Sequence, residues 1–175
     1  EGTRSTRVKR LDEVCQIIQK VHFGSDVFLD IIRDFGPWDI LCHHAAVTTN
    51  YKNPHFDWFD ALKNNTNQID KVLLALLEKR CRHVVYTGSY FEADEGIGDQ
   101  PIEAFSAYGL SKTLSWHTLR FKARQLGIMT SKFVIPNVFG PLEDERFTTY
   151  LAKCWLNGKK PIVQTPLYIR DNVPV

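Results

Sequence analysis

Short apolar runs alternate along this chain with segments whose apolar residues recur at helical spacing, and this alternation most restricts its fold. Asp39-Ile-Leu-Cys-His43, His83-Val-Val-Tyr-Thr87 and Ser131 to Ile135 read as buried strands, the last stopped by Pro136. Lys20-Val-His-Phe23 reads as a shorter one. Helical spacing appears in Asp12 to Lys20 through Val14, Ile17 and Ile18. It returns after Asp26, where Phe28, Ile31, Ile32 and Phe35 share a face and Gly36-Pro37 ends the run. One long helix is expected from Phe56 to Lys79, with Phe59, Leu62, Ile69, Val72, Leu73, Leu76 and Leu77 as its apolar stripe. Another runs from near Phe105 to Gly127. Strands joined through helices imply right-handed crossovers and a parallel sheet covered on both faces, an α/β architecture. After Gly140-Pro141 the rhythm changes: Phe147 to Leu156 reads as helix and Pro161 to Arg170 as extended chain. A division is therefore expected between residues 1–140 and 141–175.

Bulk properties narrow the function classes. With 43% hydrophobic and 24% charged residues in a chain of 175, a cored domain is expected and wholesale disorder is not. A net charge of +2 is too small to point to nucleic acid, so an anionic ligand must be held by local groups. Cys15, Cys42, Cys81 and Cys154 are scattered without a C-x-x-C pair, which points to no disulfide framework or zinc site and to a reducing cytoplasm. Cys42, inside an apolar run, reads as a small buried hydrophobe. The longest apolar stretch, Val72 to Leu77, is far too short to span a bilayer, so no membrane partner is expected. The chain starts at Glu1 without a signal-peptide pattern and reads as a trimmed piece of something longer.

One pattern carries chemistry. In Tyr108-Gly-Leu-Ser-Lys112 a phenol and an ammonium share one helix face. A neighbouring ammonium favours the phenolate, so the tyrosine pKa is expected to fall toward the operating pH, as a general base for a hydroxyl proton requires. The plain alternative is an aromatic and a lysine on an amphipathic helix. Ser89 ends an apolar run upstream, where a serine can meet a substrate or simply cap a turn.

Several segments, in order, resemble the extended short-chain dehydrogenase/reductase family, in its branch of NAD-dependent nucleotide-sugar epimerases and dehydratases. They are Asp39-Ile-Leu-Cys-His43-His-Ala45-Ala46, Asn65, Tyr86-Thr-Gly-Ser89, Tyr108-Gly-Leu-Ser-Lys112, Pro136-Asn137-Val-Phe-Gly140-Pro141 and Tyr168-Ile-Arg170-Asp171. The resemblance implies a doubly wound, Rossmann-like parallel sheet and a small C-terminal lobe over the sugar, with ligands beyond the carboxyl ends of the strands where strand order reverses. Residues 1–140 then correspond to a partial dinucleotide-binding domain and 141–175 to the start of the substrate lobe. The family's glycine-rich phosphate loop has no match: Gly96 and Gly98 show G-x-G spacing but follow no strand. Its first strand, and most of the C-terminal lobe, are expected to lie outside these residues.

Carried over residue by residue, the resemblance makes Tyr108 the base, Lys112 its partner and the holder of the nicotinamide ribose, and Ser89 the hydrogen-bond partner of the substrate oxygen. Ala45 and Ala46 let the backbone approach the cofactor, Thr87 helps to position it, and Pro136 and Val138 line its nicotinamide pocket. Asn65 braces the sheet and the site backbone. Asp26 resembles the aspartate near the adenine edge and reads equally as a helix N-cap. His43 matches the family histidine or is a satisfied buried one; His44 has no assigned role. Asn137 would contact the sugar or phosphate, and Arg146 and Arg170 the diphosphate, although arginines on such segments are otherwise solvated. Trp116, His117 and Phe121 read as helix packing. Where the family's 4,6-dehydratases carry aspartate and glutamate, this chain has Tyr90 and Phe91, and a one-residue shift should point Glu92 elsewhere. Dehydration is thereby disfavoured. The resemblance implies an epimerase acting through a transient keto sugar, with a keto-sugar reductase and a non-catalytic dinucleotide sensor as alternatives. The cofactor is NAD or NADP, with NAD favoured, the substrate a nucleotide sugar, and members of this branch often pair as homodimers.

Overall fold

A computed structural model describes residues 3–95, 103–142, 146–163 and 172–174. They fall into two compact units, one of Lys20–Ile135 and one of Glu1–Gln19 with Pro136–Val175. The boundary after Ile135 stands beside the change of rhythm at Gly140-Pro141, and residues 1–19 group with the later segment.

In the larger unit, strands β1 (Ile40–His43), β2 (His83–Ser89) and β3 (Met129–Ile135) form a parallel three-stranded sheet in the order β1-β2-β3. Register runs Ile40 to His83 to Met129, so all three carboxyl ends meet at one edge. Helix α2 (Asp26–Asp34) is capped by Ser25, whose hydroxyl accepts the Phe28 N–H at 3.2 Å. The cap is therefore one residue before Asp26.

The long helix expected from Phe56 to Lys79 is two, α3 (Trp58–Asn65) and α4 (Ile69–Glu78). They part at Gln68, whose φ of 46° is left-handed. The released side chains are used: Gln68 donates to the Gly24 carbonyl at 2.9 Å and Asn67 to that of Phe23 at 3.3 Å. Among the described residues, 20–23 pair with no strand, and the Phe23 carbonyl takes part in this docking turn. The helix carrying Tyr108 and Lys112, α5 (Ala107–Gln125), is capped by Ser106 and followed by Gly127 at φ 67°.

Alternation along the strands places Val84 and Tyr86 beneath α4 and α5, where Ile69, Leu73, Leu119, Ala123 and Ile128 complete a core. A second cluster joins α2 to α4 through Leu29, Ile32, Val72, Ala75, Leu76 and Cys81. The opposite sheet face is open among the described residues: Ile40, Met129 and Phe133 are 49%, 64% and 59% exposed. Cover was expected on both faces, and the described residues supply it on one. Cys42, expected buried, lies on the open face and is exposed, since its neighbours Leu41 and His43 take the covered side. Phe59 and Phe121, expected to pack, are also exposed on their helices.

In the smaller unit, α1 spans Thr3–Asp12 rather than Asp12 to Lys20. Val14 and Ile18 follow it exposed, so their helical spacing has no apolar surface to bury against. Strands β4 (Asn137–Phe139) and β5 (Asn172–Pro174) pair in parallel, and α6 spans Phe147–Leu156, as its spacing predicts. No helix of the described residues is long and apolar enough to cross a membrane.

Candidate active site

At the carboxyl edge of the sheet, β2 ends on Thr87, Gly88 and Ser89, and the N-terminal turns of α5 are docked against it. The docking is tight. The Phe105 N–H donates to the Phe91 carbonyl at 2.9 Å, and the Ala93 N–H to the Thr113 hydroxyl at 3.0 Å. A Cβ added at Gly109 would land on that same Phe91 carbonyl, so only glycine permits the approach. Tyr108 and Lys112 are thus held over the end of β2.

Lys112 is 2% exposed. Its ammonium donates to the Thr87 carbonyl at 2.7 Å and lies 4.1 Å from the centre of the Tyr86 ring. Burial lowers its pKa to about 8, with Glu92 acting against the fall and Lys132 adding to it. The Tyr108 ring meets Tyr51, Phe56 and Phe91 at centroid distances of 5.3, 6.0 and 6.3 Å. Its pKa is pushed up to about 12, first by burial, then by Glu92 and Tyr51. The expected lowering by Lys112 is therefore reversed: the ammonium turns to Thr87 and Tyr86, and desolvation of the phenol dominates. Tyr86, whose hydroxyl donates to the Lys112 carbonyl at 3.1 Å, is pushed up strongly for the same reason.

The Ser89 hydroxyl accepts the Phe91 N–H at 3.3 Å, which closes the turn and leaves its own proton for another acceptor. Thr87 uses both ends, its carbonyl on Lys112 and its hydroxyl 3.0 Å from His44 Nδ1. His44, without an assigned role from sequence, thereby joins the strand ends. Ala45 is exposed and Ala46 half-buried just past β1.

Beneath them, His43 Nε2 donates to the Asn65 carbonyl at 2.8 Å. The Asn65 amide reaches the Ser115 hydroxyl at 3.2 Å, and that hydroxyl donates to the Ser111 carbonyl at 2.7 Å. This buried chain ties β1, α3 and α5 together. Burial holds the His43 pKa below its ordinary value, so the ring is neutral, and its Nδ1 is the buried side-chain atom left without a partner among the described residues. Asp26 is exposed, with a carboxylate oxygen 3.4 Å from Gln68 Nε2.

Tyr51, Phe56 and Lys132 carry no site signal in the sequence, and Glu92, expected to point elsewhere, lies beneath the turn. Glu92 is 1% exposed and accepts the Ser89 N–H at 2.6 Å. Lys132, from β3, meets the Glu92 carboxylate at 3.3 Å and pairs with Glu95 as well. Tyr51 lies in a loop without periodicity, and a lysine in a strand reads as solvated, so neither carried a signal. Pro136, Asn137, Val138 and Arg146 belong to the other unit: Asn137 and Val138 are half-buried in β4, paired with Asn172 and Val173, and Arg146 precedes α6. Arg170 lies outside the described residues.

The NAD dependent epimerase/dehydratase family matches residues 3–172. Among solved structures, an 18%-identical mutant dTDP-glucose 4,6-dehydratase from Streptomyces venezuelae aligns with a TM-score of 0.67, covering 97% of this chain and 54% of that one. The Bordetella bronchiseptica enzyme WbmG, solved with NAD, gives 0.64 at 20% identity, covering 89% of this chain and 48% of that one. The UDP-glucose 4-epimerase of Thermotoga maritima gives 0.62 at 18% identity, covering 98% and 66%. The chain thus spans about half to two thirds of the length of these structures. No curated protein matches it. The family match covers nearly every residue, and the fold it requires is the one observed: the chain belongs to the NAD dependent epimerase/dehydratase family.

Proposed function

We propose that this protein is an NAD-dependent nucleotide-sugar epimerase working through a transient keto sugar, with Tyr108 as base, Lys112 as its electrostatic partner and Ser89 as the hydrogen-bond donor to the sugar oxygen. The observation that carries this reading is the placement of Lys112. An ammonium has three donors, and this one, almost fully buried, has the Thr87 carbonyl and the Tyr86 ring as its partners. The remaining donors suit the hydroxyls of a ribose. The site fits the cofactor at this end, where Ala45 and Ala46 add no bulk and Thr87 and Lys112 supply polar groups. The chemistry supplied by a bound nicotinamide is reversible hydride transfer.

What the chain itself does follows from the same geometry. Ser89, its lone pair engaged by Phe91, turns its proton to the substrate oxygen. Tyr108 takes the hydroxyl proton, which requires its pKa to drop from about 12 when positive charge is brought to the site. The aromatic cage of Tyr51, Phe56 and Phe91 excludes water from that transfer. Tyr90 and Phe91, ring to ring at 4.6 Å, occupy the acid positions of a dehydratase, and the inward Glu92 does not replace them. Residues 1–140 would serve the dinucleotide and 141–175 the sugar, with Asn137, Arg146 and Arg170 as its contacts. The related structures include a UDP-glucose 4-epimerase solved with UDP-glucose and WbmG solved with NAD and UDP, which supports a nucleotide-linked sugar. The free cysteines are consistent with a cytoplasmic site of action.

A non-catalytic sensor is the second reading, supported by the burial that pushes the Tyr108 pKa up to about 12. The full-length protein is incubated with NAD and a panel of nucleotide sugars while reduced nicotinamide absorbance and epimer formation are followed. Epimer from at least one sugar is expected, with Tyr108→Phe keeping NAD affinity but losing about 10²–10⁴-fold in turnover. Retained turnover in that variant removes Tyr108 as base; no turnover with any sugar favours the sensor.

A further inference from the structure

Glu92 is a carboxylate placed where carboxylates are rarely found, 1% exposed under the end of β2. Both its oxygens are committed: one accepts the Ser89 N–H at 2.6 Å, the other Lys132 Nζ at 3.3 Å. Resting on the reading above, we propose that Glu92, with Lys132 as counter-ion, is the positioning residue that holds the Ser89 hydroxyl in register with Tyr108.

The backbone around the pair is shaped for it. A Cβ at Gly88 would lie 3.0 Å from Lys132 Cδ and 3.1 Å from Glu92 Oε1. The residue before Ser89 therefore leaves its side-chain volume to the ion pair. The Glu92 N–H donates back to the Ser89 carbonyl at 3.0 Å, so carboxylate and backbone close the same turn from both sides. Within that turn the Phe91 N–H orients the Ser89 hydroxyl, and the Phe91 carbonyl takes the Phe105 N–H and abuts Gly109, next to Tyr108. Turn and helix start are thus one body. Glu92 pins that body to β3 through Lys132, which Glu95 grips as well. The charge also reaches the reacting groups, since Glu92 raises the pKa of Tyr108 and opposes the fall of that of Lys112.

A carboxylate whose pKa burial raises weakens the fold near neutral pH, so packing alone gives no reason for glutamate here. A positioning role does. Glu92 turns both carboxylate oxygens to protein partners and acts through the Ser89 amide.

The test compares full-length wild type with Glu92→Gln, which keeps an amide oxygen for Ser89, and Glu92→Leu, which keeps none. The Ser89 amide is read by ¹⁵N-resolved NMR and hydrogen exchange, and turnover is split into kcat and KM. In wild type the amide proton is expected well downfield and protected. Glu92→Leu should move it upfield, speed its exchange at least about tenfold, and lower kcat about 10²-fold, the scale of a misplaced group, with KM within about threefold. Glu92→Gln should shift the amide upfield by less and recover most of kcat. If the leucine variant does not fold, an unchanged Ser89 amide shift in Glu92→Gln overturns the proposal. So does a kcat unaffected by leucine in a folded variant. Should wild type turn over no nucleotide sugar, the epimerase reading fails by itself, and the Ser89 amide in the two variants decides the role of Glu92.

Discussion

Replacing Lys112 by methionine tests how strongly burial acts on the site. The folded chain holds this ammonium at a pKa of about 8 against an ordinary 10.5, chiefly by desolvation. Its folded value lies below its unfolded one, so the linked stability is fully present above pH 10.5 and is lost as pH falls through about 8. At about 1.36 kcal/mol per unit, the full span is about 3 kcal/mol. Between about pH 7.5 and 9.5 the two titration curves predict a gain of about 2 kcal/mol on raising the pH. Tyr108, pushed up to about 12, pulls in the opposite sense only above its ordinary value of 10, outside that window. Urea unfolding at a series of pH values measures the slope in wild type and in Lys112→Met. Wild type should rise by the stated amount. Methionine, which fills similar space with no proton to lose, should flatten the curve and be no less stable at neutral pH. A flat wild-type profile, or an equal rise in the methionine variant, refutes the reasoning.

Gly109→Ala is favourable by helix propensity, yet its Cβ would meet the Phe91 carbonyl, so a net loss of about 1–3 kcal/mol is expected from overpacking. Chemical denaturation checks it, and a more stable alanine variant would show that the turn can yield. Leu73→Ala, at a side chain with 0% exposure between α4 and the sheet, should cost about 2–5 kcal/mol by equilibrium unfolding. A cost below about 1 kcal/mol would mean that the core collapses around the void.

Much of the architecture is written in local pattern. The runs at Asp39, His83 and Ser131 became parallel strands because short β-branched stretches between helices have few other uses, and the predicted bounds of α6 matched the observed helix. The break between α3 and α4 was not legible, since Asn67 and Gln68 leave the helix for carbonyls at residues 23 and 24, contacts that no periodicity encodes. Likewise Val14, Ile17 and Ile18 carry a helical spacing that the fold does not use.

For the candidate site, sequence alone placed Tyr108 and Lys112 one helical turn apart and Ser89 at a strand end, since spacing along regular elements is a local property. Their electrostatics were decided by tertiary structure. The direction of the Tyr108 pKa depended on burial by Tyr51, Phe56 and Phe91 and on a carboxylate beneath the turn, while Lys112 was drawn away to Thr87. Glu92 and Lys132 meet from residues 40 positions apart, and the desolvation that gives their charges force exists only once the chain has closed around them.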